Sequence, residues 1–280
     1  MISFHAAVPF SFLLLGLSIF SFSVPSAGQT FERNGMVSDA PAVQQERVDS
    51  SAIVVRPALT TEQLADLYMV RKDYRDAAET YKRLTDENPR NAVYLNKLGI
   101  ALHQQEALKL ALKYYERATK VDPTYADAQN NIGTVWYQRK KYGKAIKSYQ
   151  KAISIRKDMA VLYSNLAYAY FGDKKYEQSL ASFHQALTLD PHFFEHNGTR
   201  NGSVLQDRSV TDRGRFYYML AKSFAQAGNL ERCIVYLRKA KDEGFKELNG
   251  AKTDPDFASM LANPEIQEIL APKPVESAAR

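Results

Sequence analysis

Between residues 58 and 193 the apolar positions return with a fixed period of 34 residues, and inside each period they fall into two runs of helical spacing. Leu98-Gly99, Ala111, Tyr115, Ala118 and Pro123 have counterparts one period on in Ile132-Gly133, Ala145, Tyr149 and Ala152. A further period gives Leu166-Ala167, Ser179, Phe183, Ala186 and Pro191, and one period earlier gives Leu64-Ala65, Ala77, Tyr81, Leu84 and Pro89. The units therefore run 58–91, 92–125, 126–159 and 160–193, with a fifth, displaced by an insertion, at 214–247. The spacing predicts two helices per unit, helix A over positions 2 to 14 and helix B over positions 17 to 29.

Side-chain size alternates in phase with these helices. Position 8 is small (Ala65, Gly99, Gly133, Ala167, Ala221), and so is position 20 (Ala77, Ala111, Ala145, Ser179, Cys233). Small side chains there let A and B approach to the usual interaxial distance of roughly 8–10 Å. Position 24 is bulky (Tyr81, Tyr115, Tyr149, Phe183, Leu237), and position 27 is Ala in all units but the first, which has Leu84. Pro89, Pro123 and Pro191 stop helix B, because proline cannot extend the hydrogen-bond ladder. Lys157 and Phe245 occupy the same position, so those two turns need another stop.

Residues 58–247 resemble tetratricopeptide repeats in this recurring small–large–small–proline pattern. The resemblance implies an all-α fold, a right-handed α-solenoid of about five helical hairpins. It also implies a capping segment at 248–271, where KTDPDFASMLANPEIQEIL suits short terminal helices. In that family the A helices line a concave groove that holds a protein or peptide segment. Carried onto this chain, the groove presents Asn96, Asn130, Asn131 and Asn165, whose amides both donate and accept and so suit a peptide backbone of any sequence. Tyr137, Tyr168, Phe171 and Tyr218 form an aromatic strip, and Lys222 faces the same way. On this reading, replacing Asn131 and Asn165 by Ala weakens partner binding and leaves the melting temperature unchanged. The competing reading is structural: the amides hold local turns and the rings fill space between A helices. The clamp of Lys and Asn at positions 5 and 9 that grips carboxylate tails in some relatives is not matched, since the best unit has Asn96 and Ile100.

The flanks read differently. Residues 1–28 contain no Asp, Glu, Lys or Arg, are apolar over 6–24, and end in Pro25-Ser26-Ala27-Gly28. This reads as a secretory signal cut near Ala27 or Gly28. The missing basic start and the length of the apolar stretch make an uncleaved membrane anchor the alternative. Either way the repeats lie on the non-cytoplasmic side, periplasmic, secreted or anchored, and any membrane contact runs through residues 6–24. Residues 29–57 read as a flexible linker, 194–213 as an insertion with turns at two Asn-Gly steps, and 272–280 as a disordered tail.

Composition removes several classes. A formal charge of +6 in 280 residues, with no run of five Lys and Arg and no basic stripe interleaved with aromatics, argues against nucleic acid. The single Cys233 excludes an internal disulfide and fills a small core slot, so it reads as an inert thiol. His192-Phe193-Phe194-Glu195-His196 has the H-x-x-E-H order of inverted zinc peptidases. It follows a helix-stopping proline and precedes Asn197-Gly198, which leaves room for about one helical turn. No phosphate loop and no dinucleotide fingerprint occur. The expected protein is a non-catalytic scaffold without cofactor or metal, and the alternatives are a zinc peptidase or a self-assembling or membrane-anchored assembly factor.

Overall fold

The computed structural model describes residues 58–196 and 212–271, and among them every regular element is helical. The expected signal or anchor, the linker, the tail and most of the insertion lie outside the described residues. Five helical hairpins follow in order: α1 (Thr61–Arg71) with α2 (Tyr74–Glu87), α3 (Ala92–Gln104) with α4 (Leu108–Val121), and α5 (Ala126–Gln138) with α6 (Tyr142–Ile155). Next come α7 (Ala160–Gly172) with α8 (Tyr176–Leu189), the single turn α9 (Phe193–His196), and α10 (Arg213–Gln226) with α11 (Leu230–Asp242). Two 3-10 turns, Leu248–Lys252 and Pro255–Phe257, and the short α12 (Pro264–Ile269) complete the described chain. Each helix packs on the next, and the A helices of neighbouring units also touch, α3 on α5 and α5 on α7. This is an α-solenoid.

The ends of the helices follow from local chemistry. Thr60 and Gln63 form a reciprocal capping box at α1, with bonds of 2.9 and 3.1 Å. The Asn91 side chain accepts from the Val93 and Tyr94 amides at 3.0 and 3.2 Å to start α3. Helices α2, α4, α6 and α8 have no side-chain cap. Each is set instead by a left-handed residue in the preceding turn: Lys72, Glu106, Lys140 and Lys174, with φ between 55 and 64°. At Lys140 the chain closes with Lys140 N–H to Tyr137 O at 2.8 Å and Lys141 N–H to Trp136 O at 2.9 Å, which satisfies the last carbonyls of α5. The missing proline of the last unit is replaced in the same way. Gly244, at φ 72°, donates to Lys241 O, and Phe245 donates to Ala240 O, both at 3.0 Å.

The alternation of sizes becomes close packing. Tyr115, Tyr149 and Phe183 are at most 1% exposed, and Ala111, Ala145 and Ser179 are fully buried. Each large ring removed from water contributes roughly 1.5–3 kcal/mol. A Cβ added at Gly99 would lie 2.5 Å from Tyr115, and one at Gly133 would lie 2.5 Å from Tyr149. Glycine at position 8 is therefore a seat for the ring at position 24. At the C-terminal end the core is aromatic: Tyr168 packs on Phe183 and Phe216 with centroids 5.2 Å apart in both pairs, and Phe171 on Phe216 at 5.4 Å.

Candidate functional site

The face to be judged is the one formed by positions 5, 6, 9, 12 and 13 of successive A helices. Its polar side chains are joined in a regular way. The side chain at position 6 of each unit donates to position 5 of the unit before it. Lys97 Nζ reaches Glu62 at 3.0 Å, Asn131 Nδ2 reaches Asn96 Oδ1 at 3.0 Å, and Asn165 Nδ2 reaches Asn130 Oδ1 at 2.9 Å. All three rungs span 35 residues, one more than the repeat, so they set the register between A helices. A fourth contact of the same offset joins His103 Nε2 to Gln138 Oε1 at 2.9 Å. The ladder stops at the fourth unit. Position 5 there is Ser164, fully buried with its hydroxyl lacking a partner, and position 6 of the next unit is Met219.

Electrostatics differ along the face. Near α1, Lys97 lies between Glu62 and Asp66, 3.0 and 2.8 Å away. Burial alone would lower the Lys97 pKa, but the two carboxylates outweigh it and the value is raised. The hydrogen bond from Lys97, reinforced by one from Tyr94, lowers Glu62. Asp66 also accepts from the Tyr81 hydroxyl, so the position-24 ring is tied to position 9. Tyr149 repeats this link to Thr134 at 3.3 Å. Burial keeps His103 below the usual imidazole range, the bond to Gln138 offsetting part of the effect.

The expected groove residues do not share one environment. Asn130 and Asn131 are half-buried, each with part of its amide engaged in a rung. Asn96 is 4% exposed and donates to the Tyr125 hydroxyl at 3.3 Å, and Asn165 is 1% exposed. These two are interior links and not a surface row. Tyr168 and Phe171, at 5 and 7% exposure, belong to the aromatic core closed by Phe216, and Tyr137 is buried with its ring 5.5 Å from Tyr142. An open aromatic strip over these three rings is therefore corrected to a buried one. For Tyr168 and Phe171 the reason is that α10, arriving after the insertion, lays Phe216 on both rings, and Tyr137 packs instead on Tyr142 of α6.

Tyr218 and Lys222 are drawn to the cap. Tyr218 packs on Phe245 and Phe257 at 4.9 and 5.5 Å, and burial pushes its hydroxyl up to about 12. Lys222 sits between Asp254 and Asp256 at 2.8 and 3.0 Å, largely shielded from water. The two cap carboxylates were not recognisable as its partners because they lie some thirty residues downstream, beyond a helix and two turns.

The H-x-x-E-H string is divided. His192 precedes α9 and is exposed, Phe193 is buried, and Phe194 packs against Phe183 and Phe224; the side chains of Glu195 and His196 lie outside the described residues. Among the described residues no group of three His, Cys, Asp or Glu is placed to hold a metal. Burial pushes the Cys233 thiol up to about 12, which holds it in the unreactive protonated form. No described helix is long and apolar enough to cross a membrane.

Family models described as tetratricopeptide repeats match residues 63–125, 160–193 and 214–242, and one described as a TPR repeat matches 133–174. No curated protein sequence matches the chain. Among solved structures, that of MamA is 18% identical, covers 68% of this chain and 98% of its own, and has a TM-score of 0.47. MamA from residue 41 onward of Desulfovibrio magneticus RS-1 is 17% identical, with coverages of 65 and 92% and a TM-score of 0.47. YrrB, described as a TPR protein with an unusual peptide-binding site, is 17% identical, with coverages of 71 and 93% and a TM-score of 0.45. The hairpins matched between residues 63 and 242, with glycine or alanine seating the bulky side chain of the facing helix, belong to the tetratricopeptide-repeat family, and this chain is a member of it.

Proposed function

We propose that this protein is a non-catalytic scaffold, exported from the cytoplasm, that holds an extended segment of another protein against the concave face of its A helices. The observation that carries this reading is the half-buried middle of the amide ladder. Asn130 gives its oxygen to Asn165, and its two N–H groups take no part in that rung; Asn131 uses one N–H toward Asn96 and keeps its oxygen outside the rung. Gln138 and His103 continue the same polar strip, and Ile100 adds a half-buried apolar contact. A preformed face of this kind loses little conformational freedom when a segment settles on it. Export rests on the uncharged apolar stretch at residues 6–24.

Asn130→Asp separates binding from folding. The carboxylate keeps the acceptor that Asn165 needs and removes the two N–H donors that take no part in the rung. An array of unselected peptides probed with the full chain should yield binders whose affinity falls at least roughly fivefold in this variant, the loss of about one hydrogen bond. A thermal melt should stay within about 2 °C. Peptide binding that ignores the substitution, or the absence of any peptide binder, refutes the groove reading. Determining the N-terminus of the mature protein tests export with cleavage.

A further inference from the structure

Charge is unevenly spread over the B helices. Residues 105–157 hold twelve Lys and Arg against four Asp and Glu, a local +8 that exceeds the +6 of the whole chain. From Arg139 to Lys157 there are eight basic residues and no acidic one. Lys140, Lys141, Lys144, Lys147 and Lys151 are all exposed, while the opposite side of α6 buries Ala145, Ile146, Tyr149 and Ala152. Among the described residues no carboxylate lies within ion-pair distance of these five lysines. The contrast with α2 is direct, because there Arg75 pairs with Glu79 at 3.4 Å and Lys82 with Asp86 at 2.7 Å. At the start of α6 the first four of these lysines, with Tyr142 and Asp173, line a cleft of about 440 Å³.

We propose that the solvent-facing side of α6 is a docking surface for an acidic segment of a protein partner. It is separate from the A-helix face and does not rest on that face binding anything. The lysines form a line. With a rise of about 1.5 Å per residue, Lys141 at the start of the helix to Lys151 extends over roughly 15 Å, and Lys140 precedes it in the turn. An extended chain covers that length in about five residues, and its alternate carboxylates, about 6.6 Å apart, fall near the spacing of lysines three or four residues apart on a helix. Two other polyanions fit less well. A bilayer would meet several B helices at once, yet α2 carries three Lys and Arg against four Asp and Glu, and α8 carries Glu177 and no Lys or Arg. A single-stranded nucleic acid needs open aromatic faces for its bases. Trp136 has Arg139 and Lys144 over its ring at 5.1 and 4.3 Å, and Tyr142 packs on Tyr137 and into the space at Gly172.

The test uses the full chain and a fluorescein-labelled decaglutamate peptide, with binding followed by anisotropy at low and physiological salt. Lys144→Glu with Lys147→Glu should weaken binding about tenfold, two reversed surface pairs at the upper end of their usual strength. Lys246→Glu with Lys252→Glu makes the same change in net charge on exposed positions elsewhere and should weaken it less than about twofold. Lys144→Gln with Lys147→Gln should fall between them. The proposal is overturned by equal losses in the two Glu double variants, or by no decaglutamate binding at the lowest salt. It is also overturned if decathymidylate, or vesicles of phosphatidylglycerol and phosphatidylcholine, bind more tightly than the peptide with the same dependence on Lys144 and Lys147.

Discussion

One substitution, made at two glycines ten residues apart, should move stability in opposite directions. At Gly133 an added Cβ would stand 2.5, 2.7 and 3.0 Å from three ring carbons of Tyr149, whose side chain is fully buried with its hydroxyl on Thr134. Ordinary contact needs about 1 Å more, so a rigid ring has to move inside a packed core, a change that costs roughly 1–3 kcal/mol. The first unit limits that figure. Ala65 and Tyr81 occupy the same two positions there, so methyl and ring coexist once the helices part slightly, and about 2 kcal/mol is the reasonable value. Replacing glycine within a helix returns about 1 kcal/mol, which leaves Gly133→Ala about 1 kcal/mol less stable. At Gly143 nothing lies within 4 Å, so only the backbone gain remains, about 0.5 kcal/mol near a helix start. Thermal melts of the full chain should show Gly133→Ala about 3 °C below and Gly143→Ala about 1–2 °C above the native protein. If Gly133→Ala melts at or above the native temperature, the claim that position 8 seats the facing ring is wrong.

The expectation that Asn131 can be replaced without loss of stability is overturned by its rung: Asn131→Ala leaves Asn96 Oδ1 without its donor at a site only 4% exposed, and it should destabilise the fold by roughly 1–3 kcal/mol in urea unfolding; an unchanged midpoint would remove the ladder as a structural element. The cap should respond to pH through Lys222 and Asp256. Burial raises the Asp256 pKa, but the bonds from Gln226 and Lys222 outweigh it and hold the folded value low. Its contribution is therefore complete above its unfolded value of about 3.9 and disappears as pH falls through the depressed folded value. Lys222 is raised overall, so its share is complete below about 10.4 and is lost as pH climbs through the folded value. Melting temperatures followed from acid to alkali should show a steeper acid loss in the native protein than in Lys222→Met, and superimposable acid limbs would refute the pairing.

The hairpins were readable because their signal is local and repeated. Size at positions 8, 20, 24 and 27 depends on contacts within one unit, or with the next unit in an unbroken array, so periodicity carries the information. The face of the A helices was readable only in outline. That Asn131 meets Asn96 depends on a 35-residue offset between helices, which no single helix pattern contains. Tyr168 and Phe171 sit at groove positions, but Phe216 covers them from the far side of a sequence break, where the period no longer counts correctly. The basic line on α6 was missed because helical spacing distributes its lysines among buried alanines and tyrosines, so they never form a linear run.

The unit at 126–159 carries both halves of a rung, an acceptor in Asn130 and a donor in Asn131. A tandem copy of it would set Asn131 of the second copy over Asn130 of the first, the same chemistry as at its present borders. The C-terminal units lack this property: the fourth has at position 5 a serine that nothing answers, and the fifth has Tyr218 and Met219 at positions 5 and 6. Lengthening by gene duplication is thus open in the middle of the array and closed toward its C-terminal end, which makes the central unit the natural place for copy number to vary.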